Sequence, residues 1–206
     1  MIGRGIVIDV ETSGKFDFKR SADAPGQPRM AQLAMILIDE DGNVESEHNF
    51  YIKPDGWSMD PEAGAVNGLT DEFLEAHGVP VRVALEAYSA MIEAGRFVVA
   101  FNAQFDCKQL RGEMRRAGMP DLFEQTRNIC VMRKANGVIL KEGGKKGWPS
   151  LDRCREVLGL TTEGAHGAVK DAMDALAVYR YLRAQGVDLS PEVHHHAQVE
   201  EIRRAG

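Results

Sequence analysis

Residues 4–12, Arg-Gly-Ile-Val-Ile-Asp-Val-Glu-Thr, decide the fold that this sequence predicts. The β-branched run is typical of a buried central strand. Side chains at i and i+2 of a strand point to the same face, so Asp9 and Glu11 are expected side by side where this strand ends. An isolated Asp-x-Glu pair is more often a strand end that frays into solvent. The pair therefore gains meaning only in combination with motifs later in the chain.

Two more strands are expected close behind the first. Residues 30–39 and 44–53 flank Asp41-Gly42-Asn43, which is a turn signal. Together with residues 4–10 they predict an antiparallel meander. A charged, Gly/Pro-rich loop over 14–29 joins the first two strands and is longer than a typical connection.

Helical and strand patterns then alternate, which indicates an α/β domain with a mixed sheet. Asp60 and Thr70 are N-cap signals for two short helices. The other predicted elements are a helix over 81–94, a strand over 97–101, a helix over 104–117, a strand over 128–132, a Gly/Lys-rich loop over 141–147, helices over 149–158 and 168–185, and a peripheral helix over 190–204.

Composition sets the protein class. The 206 residues, 44% of them hydrophobic, are enough for one substantial core. The three cysteines lie far apart without a CxxC pair, so the sequence suggests neither a disulfide framework nor a zinc cage. No leader or membrane span is evident, so a soluble, cytoplasmic protein is expected. A net charge of −6 argues against a protein that coats nucleic acid by bulk electrostatics. It does not exclude a nuclease, because metal ions bound by clustered carboxylates would return positive charge to the site.

Two later motifs carry further groups that can do chemistry. Asp106 follows the apolar strand 97–101 in the first turn of a predicted helix. His166 and Asp171 lie at the entry to the last long helix, next to glycines. Each motif also has an ordinary explanation, because an acid in the first turn favours the helix dipole and a lone histidine is often a surface or capping residue.

Taken in order, Asp-x-Glu, Asp and His-x4-Asp resemble the three motifs of the DEDDh branch of the DnaQ-like exonuclease superfamily. That superfamily includes polymerase proofreading exonucleases, ribonuclease T and oligoribonuclease. The resemblance runs from about residue 4 to 184. It implies a ribonuclease H-like fold with a central five-stranded mixed sheet flanked by helices. It also implies an exonuclease domain over 1–186, followed by a C-terminal helical tail over 187–206.

The resemblance implies a role for each motif residue. Asp9, Glu11 and Asp171 would hold one divalent ion, and Asp9 would bridge to a second ion that Asp106 supports through water. Mg²⁺ or Mn²⁺ suits such oxygen ligands. Two ions roughly 3.5 to 4 Å apart stabilise the attacking and leaving oxygens of an in-line phosphodiester displacement. His166 would be the general base that activates the attacking water.

Further residues are candidates for substrate contacts. Residues 61–70 resemble the family's helix that ends in His-Gly-Ile-Thr and borders the terminal base, but Asn67 replaces the histidine. Phe105 resembles an aromatic that relatives press against nucleotides, and it could equally be a core residue. Basic groups could guide phosphates, although charged helix faces are usually only solvated. The candidates are Thr12, Gly68, Leu69, Asn102, Phe105, Lys145 and Lys146, and the basic groups of the 104–117 helix are Lys108, Arg111, Arg115 and Arg116.

The favoured prediction is a 3′→5′ exonuclease that releases 5′-mononucleotides from single-stranded DNA. Proofreading beside a partner polymerase and repair are the roles that such an activity would serve. A 3′→5′ exoribonuclease is the close alternative, because the DEDDh motifs occur in enzymes for both DNA and RNA. No residue of the sequence can be assigned to recognise, or to exclude, a 2′-hydroxyl. A catalytically inactive nucleic-acid-binding module is the third, and the presence of all five motif residues weighs against it. The sequence does not determine the oligomeric state.

Overall fold

The fold is described from a computed structural model of residues 3–193. The five strands form one sheet in the order β3-β2-β1-β4-β5. β1, β2 and β3 make the predicted antiparallel meander, while β4 and β5 run parallel to β1. The predicted five-stranded mixed sheet is therefore confirmed. The strands are β1 (Gly5–Thr12), β2 (Met30–Ile38), β3 (Val44–Tyr51), β4 (Phe97–Ala100) and β5 (Asn128–Cys130).

Seven α-helices and a 3-10 helix at Glu142–Gly144 are described within residues 3–193, and the predicted N-caps are present. The Asp60 side chain accepts the backbone N–H groups of Glu62 and Ala63, and Thr70 accepts that of Phe73. The helices are α1 (Pro61–Asn67), α2 (Asp71–His77), α3 (Val81–Glu93), α4 (Ala103–Arg116), α5 (Val131–Lys134), α6 (Leu151–Leu158) and α7 (Ala168–Ala184).

One predicted strand is shorter than expected. The sequence predicts a strand over 128–132, but β5 ends at Cys130 and α5 begins at Val131. The Met132 N–H donates to the Phe101 carbonyl at 2.9 Å, which turns the chain away from the sheet edge. A short apolar run does not by itself distinguish a strand from a buried helical turn.

The two faces of the sheet bury separate halves of the core. Ile6, Ile8 and Val10 of β1 pack in the half of the core that includes residues of α3 and α4. Val7 packs in the other half, with residues of α7. Because strand side chains alternate, Asp9 and Glu11 share the α7 face with Val7. The packing of α7 therefore decides what these two carboxylates meet.

The described part of the predicted tail, residues 187–193, is not helical. Glu192 instead forms an isolated antiparallel bridge with Asn128, with N–H to carbonyl distances of 2.7 and 2.9 Å. This pairing covers the outer edge of β5. The remainder of the helix predicted over 190–204 lies outside the described residues. Within residues 3–193, no helix combines the length and apolar character needed to cross a membrane.

Candidate active site

Three predicted carboxylates converge at the end of β1. Asp9 and Glu11 lie on the strand, and Asp171 lies in the first turn of α7. One carboxylate oxygen from each lies within 4.8 Å of the others. The strand period and the crossing of α7 over β1 bring together groups that lie about 160 residues apart in the chain.

Asp106 approaches the same place from α4. Its Oδ1 accepts the N–H of Val10 at 3.1 Å, so it is tied to the backbone between Asp9 and Glu11. Its side chain is buried, with 3% of the residue exposed. Asp106 also lines a cavity of about 250 Å³ together with Asp9, His166 and Asp171. We call Asp9, Glu11, Asp106 and Asp171 the carboxylate cluster.

His166 lies on a strained stretch of backbone at the entrance to α7. Its φ of 64° places a non-glycine residue in the left-handed region, which is sterically unfavourable. Its N–H donates to Oδ1 of Asp171 at 3.1 Å, which holds the backbone beside the cluster. The residue is exposed and lines the same cavity as Asp9 and Asp106. Such strain is often found at functional positions, where the surrounding structure enforces it.

The carboxylate cluster is electrostatically unfavourable without cations. Burial raises the pKa of Glu11 to about 7, and nearby Asp171 contributes. Burial raises the pKa of Asp106 to about 8. The pKa of Asp9 is raised well above its usual range by burial and by the neighbouring carboxylates, and burial also raises the pKa of Asp171.

The donor set fits hard divalent cations. All four groups of the cluster offer carboxylate oxygens, which Mg²⁺ and Mn²⁺ prefer. Burial, together with mutual repulsion, keeps these pKa values high, and bound cations would stabilise the charged carboxylates against both effects. Residues of the cluster could therefore hold the predicted ions.

Asn67 is a site residue whose contacts the sequence did not reveal. Its Nδ2 donates to the Thr12 carbonyl at 3.2 Å, and its Oδ1 accepts the Leu69 N–H at 3.1 Å. A hydrogen bond from Asn67 also lowers the pKa of Glu11, which partly offsets the effect of burial. The residue that replaces the family's histidine thus joins β1 to the end of α1. The adjacent Gly68 has a φ of 72°, which a glycine adopts without strain.

Two further cavities adjoin this junction. One of about 330 Å³ is lined by Glu11, Thr12, Ala63, Val66 and Asn67, among others. Another of about 510 Å³ has walls from both the α1–α2 turn and the start of α7, and its lining includes Gly68, Leu69, Gly167 and Lys170. Thr12 therefore lies beside Glu11 of the carboxylate cluster, while Gly68 and Leu69 line the other cavity, next to Asn67.

Asn102 and Phe105 line the cavity of the carboxylate cluster. The Phe105 ring packs at 6.2 Å from the Phe16 ring and at 6.3 Å from the Phe18 ring, both in the loop over 14–29. Nζ of Lys108 lies 5.2 Å from the centre of the Phe18 ring. The long loop thus places aromatic side chains beside the candidate site.

Most of the basic residues on α4 that were candidates for guiding phosphates instead form ion pairs within the fold. Arg111 and Arg115 both pair with Asp121, at 2.6 and 2.8 Å, and Arg116 pairs with Glu113 at 3.1 Å. Lys145 and Lys146 are exposed in the 141–147 loop and are not among the residues that line the cavity of the cluster. Their predicted contact with substrate stays a prediction.

Arg155 is a neighbour of the cluster that sequence reasoning missed. It is buried, with 1% of the residue exposed, and its guanidinium contacts Asp171. A helical period would have indicated it, because Leu151, Cys154 and Leu158 mark the inward stripe of α6 and residue 155 lies on that stripe. An arginine on an apolar stripe calls for buried acidic partners.

The sheet order, with a carboxylate cluster at the end of the central strand, is the arrangement expected of a nuclease with the ribonuclease H-like fold. The family model described as exonuclease (RNase_T) matches residues 6–179, which is most of the chain. The chain belongs to this exonuclease family. Among curated protein sequences, none matches it.

Solved structures with the same fold include E. coli exonuclease I. Its zinc-bound complex with single-stranded DNA has a TM-score of 0.67 and 22% identity, over 89% of this chain and 41% of that one. Its complex with a dA16 oligonucleotide has a TM-score of 0.68 and 20% identity, over 88% and 41%. Cell-death related nuclease 4 (CRN-4) has a TM-score of 0.69 and 16% identity, over 92% and 67%. This chain thus spans about two fifths of the exonuclease I chains, and the likeness shows a shared fold.

Proposed function

We propose that this protein is a 3′→5′ exonuclease that removes 5′-mononucleotides from single-stranded DNA with the help of two divalent ions, Mg²⁺ or Mn²⁺. The observation that carries the proposal is the convergence of Asp9, Glu11 and Asp171, with one oxygen of each within 4.8 Å of the others. Asp106 and His166 lie around the same cavity as Asp9 and Asp171. Membership of the exonuclease family supports the reaction class.

Each residue has a role that its position supports. Asp9, Glu11 and Asp171 would hold one ion, and Asp9 and Asp106 would hold the other. The ions would supply charge stabilisation for the attacking and leaving oxygens of the phosphodiester. His166 would accept a proton from the attacking water, because a neutral imidazole can act as a base near neutral pH and this residue faces the cavity.

The terminal nucleotide would lie in the cavity beside Glu11. Ala63 and Val66 offer an apolar wall there, and Thr12 lies on the β1 side. Gly68 and Leu69 follow directly on the turn that Asn67 ties to β1. Asn102 and Phe105 would contact the nucleotides at the cavity of the carboxylate cluster. Lys145 and Lys146 would meet phosphates further along the strand.

Single-stranded DNA is the substrate that we propose, because solved structures with the same fold include complexes with it. Three of the exonuclease I structures with the same fold are complexes with single-stranded DNA or with a dA16 or dT13 oligonucleotide. An enzyme of this kind would serve in proofreading beside a partner polymerase, or in repair.

A degradation assay tests the proposal. Parallel reactions would use 5′-labelled single-stranded DNA, duplex DNA with a mismatched 3′ end, and RNA of the same sequence, each with Mg²⁺, Mn²⁺ or EDTA. We expect a ladder of products shortened from the 3′ end of the single-stranded DNA, and no products in EDTA. Activity that persists in EDTA would contradict the metal assignment. Faster shortening of the RNA would make the protein an exoribonuclease.

A further inference from the structure

Arg155 makes an unusual set of contacts beneath the carboxylate cluster. Its Nε donates to Oδ2 of Asp174 at 2.7 Å, and its Nη1 donates to Oδ1 of Asp152 at 2.6 Å. Its Nη2 donates to Oδ1 of Asp171. One buried guanidinium is thus shared by three carboxylates, of which Asp171 belongs to the cluster.

Stability alone does not account for this arrangement. Removing a guanidinium and a carboxylate from water costs free energy that their attraction does not always return, and apolar residues of similar size often serve a core equally well. Asp174 lies one turn after Asp171 on α7, is 4% exposed, and contacts Arg155 and Lys170. It is outside the group of carboxylates that could share an ion. A buried acid in this position therefore serves to hold Arg155.

We propose that Arg155, fixed by Asp174 and Asp152, is a positioning residue that holds Asp171 in the orientation needed to bind a divalent ion. The inference rests on the proposed function and deepens it. Oδ1 of Asp171 accepts hydrogen bonds both from Nη2 of Arg155 and from the His166 N–H. Two donors on one oxygen fix the carboxylate plane and leave the second oxygen available. Arg155 thereby restricts Asp171 to one donor atom for the cation.

The charges of the network favour this geometric role over an electrostatic one. Arg155 and Lys170 carry two positive charges, which the carboxylates of Asp152 and Asp174 balance. The network is therefore close to neutral. Removing Arg155 alone adds one negative charge beside Asp171, whereas removing Arg155 together with Asp174 leaves the net charge of the network unchanged. Loss of orientation is then the dominant effect, so binding of a cation should weaken. Outer-shell partners of metal ligands typically contribute about 10- to 100-fold to metal affinity.

The test compares Arg155→Leu with the double variant Arg155→Leu/Asp174→Leu. The single variant leaves Asp174 buried without its main partner and is expected to lower the Tm. The double variant replaces a buried ion pair by apolar side chains, so its Tm should return close to that of the parent. In the double variant, which keeps the net charge of the network, Mn²⁺ affinity titrated by calorimetry without DNA should remain about 10- to 100-fold weaker than in the parent.

A third variant and the kinetics refine the test. Arg155→Lys keeps the charge but cannot donate to three carboxylates at fixed angles, so it should not restore Mn²⁺ affinity. In the DNA degradation assay the double variant should have a reduced kcat and a nearly unchanged KM.

The outcomes separate this inference from the proposed function. Parent-like Mn²⁺ affinity in the double variant would overturn the inference, because Arg155 would then be only structural. Tighter Mn²⁺ binding would overturn it as well, because charge and not orientation would dominate. If the parent binds Mn²⁺ but does not shorten DNA, the proposed function fails while the Mn²⁺ titrations still decide the role of Arg155. If the parent does not bind Mn²⁺, both fail.

Discussion

Two charged regions of this protein differ in how their charges are arranged. In the carboxylate cluster at the end of β1, like charges converge and their pKa values are raised. Further along α4, the fully buried Glu113 accepts two hydrogen bonds from Nε and one from Nη2 of Arg29, and it also pairs with Arg116. Both regions bury carboxylates, but Glu113 alone has two arginine partners, whereas among the four carboxylates of the cluster only Asp171 forms an ion pair within residues 3–193, with Arg155. What distinguishes the candidate site is therefore that its buried carboxylates outnumber their cationic partners, and not the number of charged residues.

Removing a carboxylate from the cluster tests this contrast most severely. Asp9→Asn should lower kcat by at least ~10³-fold, because metal ligands supply several kcal/mol of transition-state stabilisation. The measurement is single-turnover degradation of 5′-labelled DNA in Mg²⁺. Glu47→Gln, an exposed carboxylate on β3, is the matched control and should match the parent. A rate for Asp9→Asn close to that of the parent would place the chemistry elsewhere.

The paired region should show the opposite response. Glu113→Gln leaves two arginines without their buried partner, and breaking such a pair costs about 3 kcal/mol or more. For a chain of this size the Tm should fall by roughly 6 °C to 12 °C. The kcat per folded molecule, measured well below the Tm, should stay within about twofold of the parent. A large loss of kcat with an unchanged Tm would remove the distinction between the two regions.

His166 tests whether the strained approach to α7 serves chemistry. His166→Ala should lower kcat by about 10²-fold or more with a modest change in KM, since the general base is lost. His166→Asn is the matched variant, because asparagine tolerates a positive φ but is not a base. Steady-state kinetics on both should give the same loss. Recovery in the asparagine variant would show that the backbone and not the imidazole matters.

The smallest expected effect is on the free energy of unfolding of the metal-free protein. The pKa of Asp106 is raised to about 8 in the fold, so the folded state binds a proton that the unfolded state releases near pH 4. The stability of the metal-free protein should therefore fall as pH rises from about 4 to about 8. Asp106→Asn removes this penalty and should be more stable than the parent by about 1 to 3 kcal/mol at pH 8 in EDTA.

The pH dependence has its own control. At pH 5 the parent carboxyl is protonated in the fold, so the advantage of Asp106→Asn should largely disappear. Melting curves at both pH values, with EDTA or Mg²⁺, give the comparison. Added Mg²⁺ should raise the Tm of the parent more at pH 8 than at pH 5. A variant that is less stable than the parent at pH 8 would contradict the electrostatic account of the cluster.

Much of the fold was predictable because local sequence patterns specify its strands, turns and helix starts. The β-branched run at 4–10, the turn at Asp41-Gly42-Asn43 and the caps at Asp60 and Thr70 each act within a few residues. The motif residues were found in the same way, by their places relative to strand ends and helix starts. The boundary at Cys130 was missed because a hydrogen bond to the distant Phe101 carbonyl ends the strand there.

Local sequence was sufficient for the order of the strands along the chain, the helix starts and the residue types able to bind cations, because hydrophobic period and capping act over a few residues. Which charges meet depends instead on tertiary packing. The packing of α6 against α7 brings Arg155 to Asp171, and the register of β1 under α7 brings Asp171 to Asp9 and Glu11. Such pairings depend on distances of a few ångströms between segments far apart in sequence, and no local pattern encodes those distances.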